Sequence, residues 1–168
     1  EIAWTFIIKN GEAWVGEGGY SSERAVPIST GGQLVIPSYV RGYPVVGISD
    51  FAFHSCSQIE SVLIPEGVRT IGDAAFIGCK RLQKVYIPST VREIIISAEG
   101  NPFASCSALE AIEVSSDNTV YKSEDGVLYT KSGDGVLKVP ETRKSIKITE
   151  PVETVFCGTF HGWCLEKI

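Results

Sequence analysis

Five cysteines, two histidines and 20 acidic residues are the groups in this 168-residue chain with chemistry to offer. Thiolates bind soft metals or attack carbonyls, imidazole moves protons near neutral pH, and paired carboxylates hydrolyse glycosides. None of these groups stands in the pattern that such chemistry needs. There is no C-x-x-C pair, no G-x-S-x-G and no H-E-x-x-H in the chain. Gly11, Gly16, Gly18 and Gly19 lie in a hairpin context with no following helix, so they form no phosphate cradle. His54 and His161 fall near the helical positions of two different repeat units and read as surface or ladder residues rather than a catalytic pair. With so many acids, some pair about 5 Å apart arises by arithmetic alone, and acid pairs therefore carry no information. The expectation is a non-enzymatic chain with no cofactor and no metal.

The cysteines are spaced by something other than reactivity. Cys56 and Cys79 are 23 residues apart, and Cys106 takes the same place in the next unit. A metal site or redox switch is one reading. The other is a ladder of small buried side chains, which suits cysteine because it is among the most buried residue types. The absence of close ligand pairs such as C-x-x-C favours the ladder. Cys157 and Cys164 stand seven residues apart, which an intact helix would hold roughly 10 Å from each other, beyond disulfide reach. If the segment is not helical they are free to pair.

The spacing belongs to a repeat that organises most of the chain. Ile64 to Ile87, Phe53 to Phe76 and Cys56 to Cys79 are all 23 residues. The unit reads I-P-x-x-V-x-x-I-x-x-x-A-F-x-x-C-x-x-L-x-x-V-x-I-P. Longer intervals, 28 from Ile36 to Ile64 and 27 from Phe76 to Phe103, contain turn-prone insertions at residues 41–45 and 97–100. Insertions in stacked repeats map to loops. Within one unit, Val85-Tyr86-Ile87 alternates as a half-buried strand and Pro88 ends it. Asp73-Ala74-Ala75-Phe76 reads as a short helical turn, with Asp73 as cap and Phe76 and Cys79 on one face; Asn101-Pro102-Phe103 does the same in the next unit. Strand, turn, short helix and return strand make one solenoid coil.

Composition agrees. Lys plus Arg is 15 against 20 acids, a net charge of −5, which argues against a nucleic-acid partner. Hydrophobic residues are 43% and charged residues 21%, ordinary values for a folded domain. No apolar run approaches the roughly 20 residues that cross a bilayer. The chain starts at Glu1 and has no Met, and is read as processed or as part of a longer protein.

The unit resembles that of the BspA-type leucine-rich repeats, and Ile71-Gly72-Asp73-Ala74-Ala75-Phe76-Ile77-Gly78-Cys79 fits that family's consensus almost letter for letter. The resemblance covers about residues 33–168. It implies an α/β solenoid, a short right-handed leucine-rich repeat of about five coils, with a sheet on one side and short helices on the other. Residues 1–32 would form an N-terminal β-hairpin cap and connection, with Asn10-Gly11 as its turn. Between Val114 and Ile148 the interval grows to 34 residues, and the surplus at about 119–140 resembles the family's inserted β-hairpin, with Ser132-Gly133-Asp134-Gly135 at its tip. The last coil is irregular and stops at Ile168 partway into another strand, which leaves open either an irregular terminal coil or a longer natural chain.

The strand face is what remains for function. Leu34/Ile36, Val62/Ile64, Val85/Ile87, Ile112/Val114 and Ile146/Ile148 point inward, so Val35, Leu63, Tyr86, Glu113 and Lys147 point outward, flanked by residues such as Lys84. A row of adjacent exposed apolar residues marks a contact surface, or it is simply a solvated sheet of β-favouring residues. The resemblance implies a bacterial cell-surface or secreted module that adheres to host or bacterial surface proteins. A structural spacer displaying another domain is the alternative.

Overall fold

The computed structural model describes residues 1–97, 100–147, 152–156 and 158–160. Fourteen strands are present among them: β1 (Phe6–Lys9), β2 (Glu12–Val15), β3 (Gly32–Val35), β4 (Tyr39–Val40), β5 (Tyr43–Ile48), β6 (Ile59–Leu63), β7 (Thr70–Ile71), β8 (Lys84–Ile87), β9 (Glu93–Ile94), β10 (Ala111–Val114), β11 (Tyr121–Glu124), β12 (Val127–Thr130), β13 (Gly135–Lys138) and β14 (Thr154–Val155). They form a β-solenoid.

The repeat spacing is visible directly in the strand register. β3, β6, β8 and β10 are parallel neighbours, pairing Leu34 with Val62, Val62 with Val85 and Val85 with Ile112. These four side chains are fully buried. A second parallel set, β5, β7 and β9, forms another corner of each coil and aligns Ile48, Ile71 and Ile94 inward. The N-terminal hairpin extends this second sheet, since β1 pairs with β2 and β2 runs parallel to β5. Its turn residues, Asn10 and Gly11, have φ of 51° and 78°, the left-handed pair that a tight two-residue hairpin turn requires.

The third corner departs from expectation. Among the described residues no helix is present, and the fold is all-β rather than α/β. The amides explain why. In a helix each N–H donates four residues back along the same chain. Here the amides of Ala75 and Ile77 close local turns onto Gly72 O (3.3 Å) and Ala74 O (3.1 Å), while the alternate ones reach the next coil, Phe76 N to Pro102 O (2.8 Å) and Gly78 N to Ala104 O (3.0 Å). The preceding coil does the same, with Phe53 N donating to Ala75 O at 2.7 Å and Ser55 N to Ile77 O at 2.8 Å. Ala74 and Gly78 have φ of 51° and 74°, outside the right-handed helical region. Asp73 is correspondingly no helix cap: its amide donates to Asp50 Oδ1 (2.8 Å) and its Oδ2 accepts from Ser97 Oγ (2.6 Å), which bonds it to the coils on both sides.

Such close stacking accounts for the glycine before Asp73. A Cβ on Gly72 would lie 2.5 Å from the Asp50 nitrogen and 2.6 Å from the Ser49 carbonyl carbon, backbone atoms that cannot swing aside. Gly72→Ala is therefore expected to destabilise the chain by about 1–3 kcal/mol, the usual range for overpacking, despite adding a better structure-former. Urea unfolding checks this, and an unchanged midpoint would mean that adjacent coils separate without cost.

The end of the stack also differs from expectation. The insertion is a three-stranded antiparallel meander, β11 to β13, with one turn at Asp125-Gly126 and the other at residues 131–134. β14 pairs with β13 in parallel. The meander sits where a fifth strand of the first sheet was expected: the β10 amides of Ile112 and Val114 donate to Gly126 O and Ser123 Oγ, each at 2.9 Å. The first sheet therefore has four strands, about three turns of solenoid, and Ile146 and Lys147 belong to no strand. Ile148 lies outside the described residues.

Candidate functional site

The outward row of the first sheet is in register. Val35 lies beside Leu63, Leu63 beside Tyr86, and Tyr86 beside Glu113. Val35 is 53% and Leu63 39% exposed, Tyr86 is half-buried and Glu113 exposed. Lys84 stands two residues before Tyr86, on the same face of the sheet, paired with Ser61 and Ala111, and is exposed. Lys147 is exposed but does not join the row, because the meander has taken its place at the sheet edge.

Two grooves border this row. Leu63, Tyr86 and Glu113 continue into the first, a concavity of about 450 Å³ whose rim is made by the strand-ending Pro65 and Pro88 and by Glu66 and Ser115. The rim is firmly held. Glu66 accepts from the Ser89 amide (3.2 Å) and hydroxyl (2.9 Å). Buried Asn118 fixes the Pro88 side, donating to Pro88 O (2.9 Å) and Val91 O (3.0 Å) while accepting from the amides of Val120 and Tyr121. The second groove, about 440 Å³, is polar and lies between the sheet and the meander, where Lys84, Glu110, Glu113, Asp125 and Arg143 meet. Arg143 pairs with Asp125 at 2.7 Å, and that hydrogen bond and charge hold the Asp125 carboxyl below its ordinary range. Glu113 is shared by both grooves. Sequence alternation alone finds Leu63, Tyr86 and Glu113. It misses Glu66 and the prolines, which lie beyond the strand ends, although the repeated Ile-Pro pair marks where they fall.

The thiols form the expected ladder. Cys79 Sγ donates to Phe53 O at 3.1 Å and Cys106 Sγ to Phe76 O at 3.2 Å, each crossing to the preceding coil. Burial pushes the Cys56 thiol up to about 11 and Cys106 to about 12; Cys79 moves in the same direction, through burial first and its thiol neighbours second. Protonated thiols of this kind are poor nucleophiles and poor ligands. Cys157 and Cys164 lie outside the described residues, as does His161. His54 is buried, its ring 4.9 Å from that of Tyr20, and burial followed by nearby Arg24 lowers its pKa. Lys138 and Glu141 are a buried pair 3.6 Å apart, with Lys138 also donating to Gly158 O. Desolvation pulls the Lys138 pKa down against the opposing pull of Glu141.

A coil of strands and lateral turns, stacked through in-register isoleucines, phenylalanines and cysteines, defines a leucine-rich repeat solenoid. The model of the BspA type leucine rich repeat region matches residues 46–168 in six copies, and the chain belongs to this family. Among solved structures it is similar to a leucine-rich repeat protein of T. pallidum, with 29% identity and a TM-score of 0.54, covering 65% of this chain and 46% of that one. It also resembles a leucine-rich repeat protein of Bacteroides ovatus, with 22% identity and a TM-score of 0.53, covering 100% of this chain and 33% of that one. The chain thus spans less than half the length of either protein. No curated protein sequence matches it.

Proposed function

We propose that this chain is a non-enzymatic protein-interaction module of an exported bacterial surface or secreted protein, binding through the strand face of its solenoid. One observation carries the reading: Val35, Leu63 and Tyr86 stand side by side on a regular sheet surface and lead into a groove whose rim is rigid. Adjacent exposed apolar groups rimmed by polar ones are the usual mark of a contact surface, and stacked repeats supply such surfaces readily. The partner is read as a host extracellular protein or a protein of another bacterial surface. Residues 1–32 serve as the cap of the first coil and 33–168 as the repeat body. A structural spacer that displays another domain is the second reading.

The test compares the full chain with a Leu63→Glu, Tyr86→Glu double variant in capturing extracellular host and bacterial proteins. Charges on the half-exposed face leave the fold intact, which circular dichroism checks. The expected outcome is a partner held by the parent and lost at least tenfold by the variant, since apolar anchors at interface centres contribute roughly 2 kcal/mol or more each. Equal capture by both would remove the strand face from the site, and no capture by either would favour the spacer.

A further inference from the structure

We propose that the groove between Glu66 and Glu113 takes a segment of a partner protein in which one large apolar side chain is flanked by lysine or arginine. The inference rests on the strand-face reading and specifies the chemistry of its partner. Leu63 and Tyr86 form the apolar wall, and Pro65 and Pro88 the rim, and the two prolines have no side-chain rotamer freedom to lose on binding. The only charged side chains lining this groove among the described residues are two carboxylates, Glu66 and Glu113. Lys84, the cation closest in register, lines the other groove.

The two carboxylates are not equivalent. Glu66 is held in place by the amide and hydroxyl of Ser89, yet a carboxylate offers about four acceptor positions, so capacity remains for a cation. Glu113 is exposed and has no ion pair among the described residues. An uncharged apolar ligand would desolvate both carboxylates without replacing their water, and an acidic one would be repelled. A basic flank converts that cost into charge-assisted hydrogen bonds. The net charge of −5 acts in the same direction by steering cations toward the molecule.

Geometry sets the spacing. Leu63 and Glu113 are two rungs apart through Tyr86, roughly 10 Å at the usual strand separation. An extended chain covers that distance in about three residues. Side chains alternate along an extended chain, so a basic residue, any residue, an apolar one, any residue and a second basic one place all three side chains on the groove with the apolar one in the middle.

The probe is the peptide Gly-Lys-Ser-Phe-Ser-Lys-Gly, titrated into the ¹⁵N-labelled full chain and followed by amide shifts. The controls are Gly-Glu-Ser-Phe-Ser-Glu-Gly and Gly-Lys-Ser-Ser-Ser-Lys-Gly. The lysine-flanked phenylalanine peptide is expected to shift residues of β6, β8 and β10 and to bind at least tenfold more tightly than either control. Glu113→Lys should weaken it at least tenfold and Glu113→Gln less, in spectra that otherwise stay folded, and rising salt should weaken it further. Binding of the glutamate-flanked peptide as tight as that of the lysine-flanked one, or indifference to Glu113→Lys, would overturn the proposed chemistry while leaving the strand face as a contact surface. Absence of any shift with millimolar peptide would likewise overturn it, and the capture experiment with the Leu63→Glu, Tyr86→Glu variant would still decide the broader reading independently.

Discussion

Phe76→Ala is expected to cost about 4–5 kcal/mol of stability, the upper part of the range for emptying a buried phenylalanine site. The ring is fully buried and sits between two others, 5.0 Å from Phe53 at an interplanar angle of 3° and 5.8 Å from Phe103 at 6°. Truncation therefore removes two stacked aromatic contacts, each contributing roughly 0.5–1.5 kcal/mol beyond area, along with the burial itself. The void cannot close easily, because the backbone on either side is pinned by Phe53 N to Ala75 O and Phe76 N to Pro102 O. Phe53→Ala removes one stacked neighbour and an edge contact from Trp4 at 6.3 Å, and should cost less. Urea titration of the two variants compares them. A Phe76→Ala cost below about 2 kcal/mol would show that the coils collapse onto one another.

Alkaline pH should weaken the fold nearly as much. A thiol whose pKa is higher folded than unfolded contributes stability that is intact below its unfolded pKa and lost as pH rises through the folded one. The unfolded value is near 9, and the folded values are about 11 for Cys56, about 12 for Cys106 and still further up for Cys79. The window therefore opens at about pH 9. By about pH 10 each thiol has lost about 1.4 kcal/mol, or about 4 kcal/mol for the ladder. Lys138 acts in the opposite sense. Its pKa is depressed in the fold, so its penalty is relieved as pH rises toward the ordinary lysine value, offsetting at most one of the three thiols in slope. Denaturant midpoints in reducing buffer between about pH 8 and 10 measure the net fall. Cys79→Ala should remove about a third of the thiol contribution to the slope; an unchanged slope would assign the alkaline loss to other groups.

Both effects come from positions that spacing alone identified. Phe53, Phe76, Phe103 and the three cysteines recur at fixed places, and recurrence is enough to stack them, whatever backbone carries them. The backbone was less legible. Asp73-Ala74-Ala75-Phe76 has good local credentials for a helical turn, and what prevents one is the neighbouring coil, whose carbonyls take the amides that a helix would use internally. No local pattern reports that competition. Lys147 illustrates a second limit. Counting repeats carried the outward row one coil too far, because the insertion folds back against β10 and satisfies the amides a fifth strand would have met. In the candidate site, Leu63, Tyr86 and Glu113 follow from alternation, whereas Glu66 faces the groove only because Ser89, one coil on, holds it there.

The lateral bonding of the turns also has a mechanical side. Among the described residues the lateral backbone bonds run from each coil to the coils before and after it, and in the regular part of the stack they repeat every 23 residues. A force applied along the chain therefore loads them one rung at a time instead of sharing the load across the sheet. The stack would pay out in steps, each releasing roughly 75–85 Å of contour at about 3.3–3.6 Å per residue, and a partner gripped by one rung would be let down gradually while the remaining rungs held.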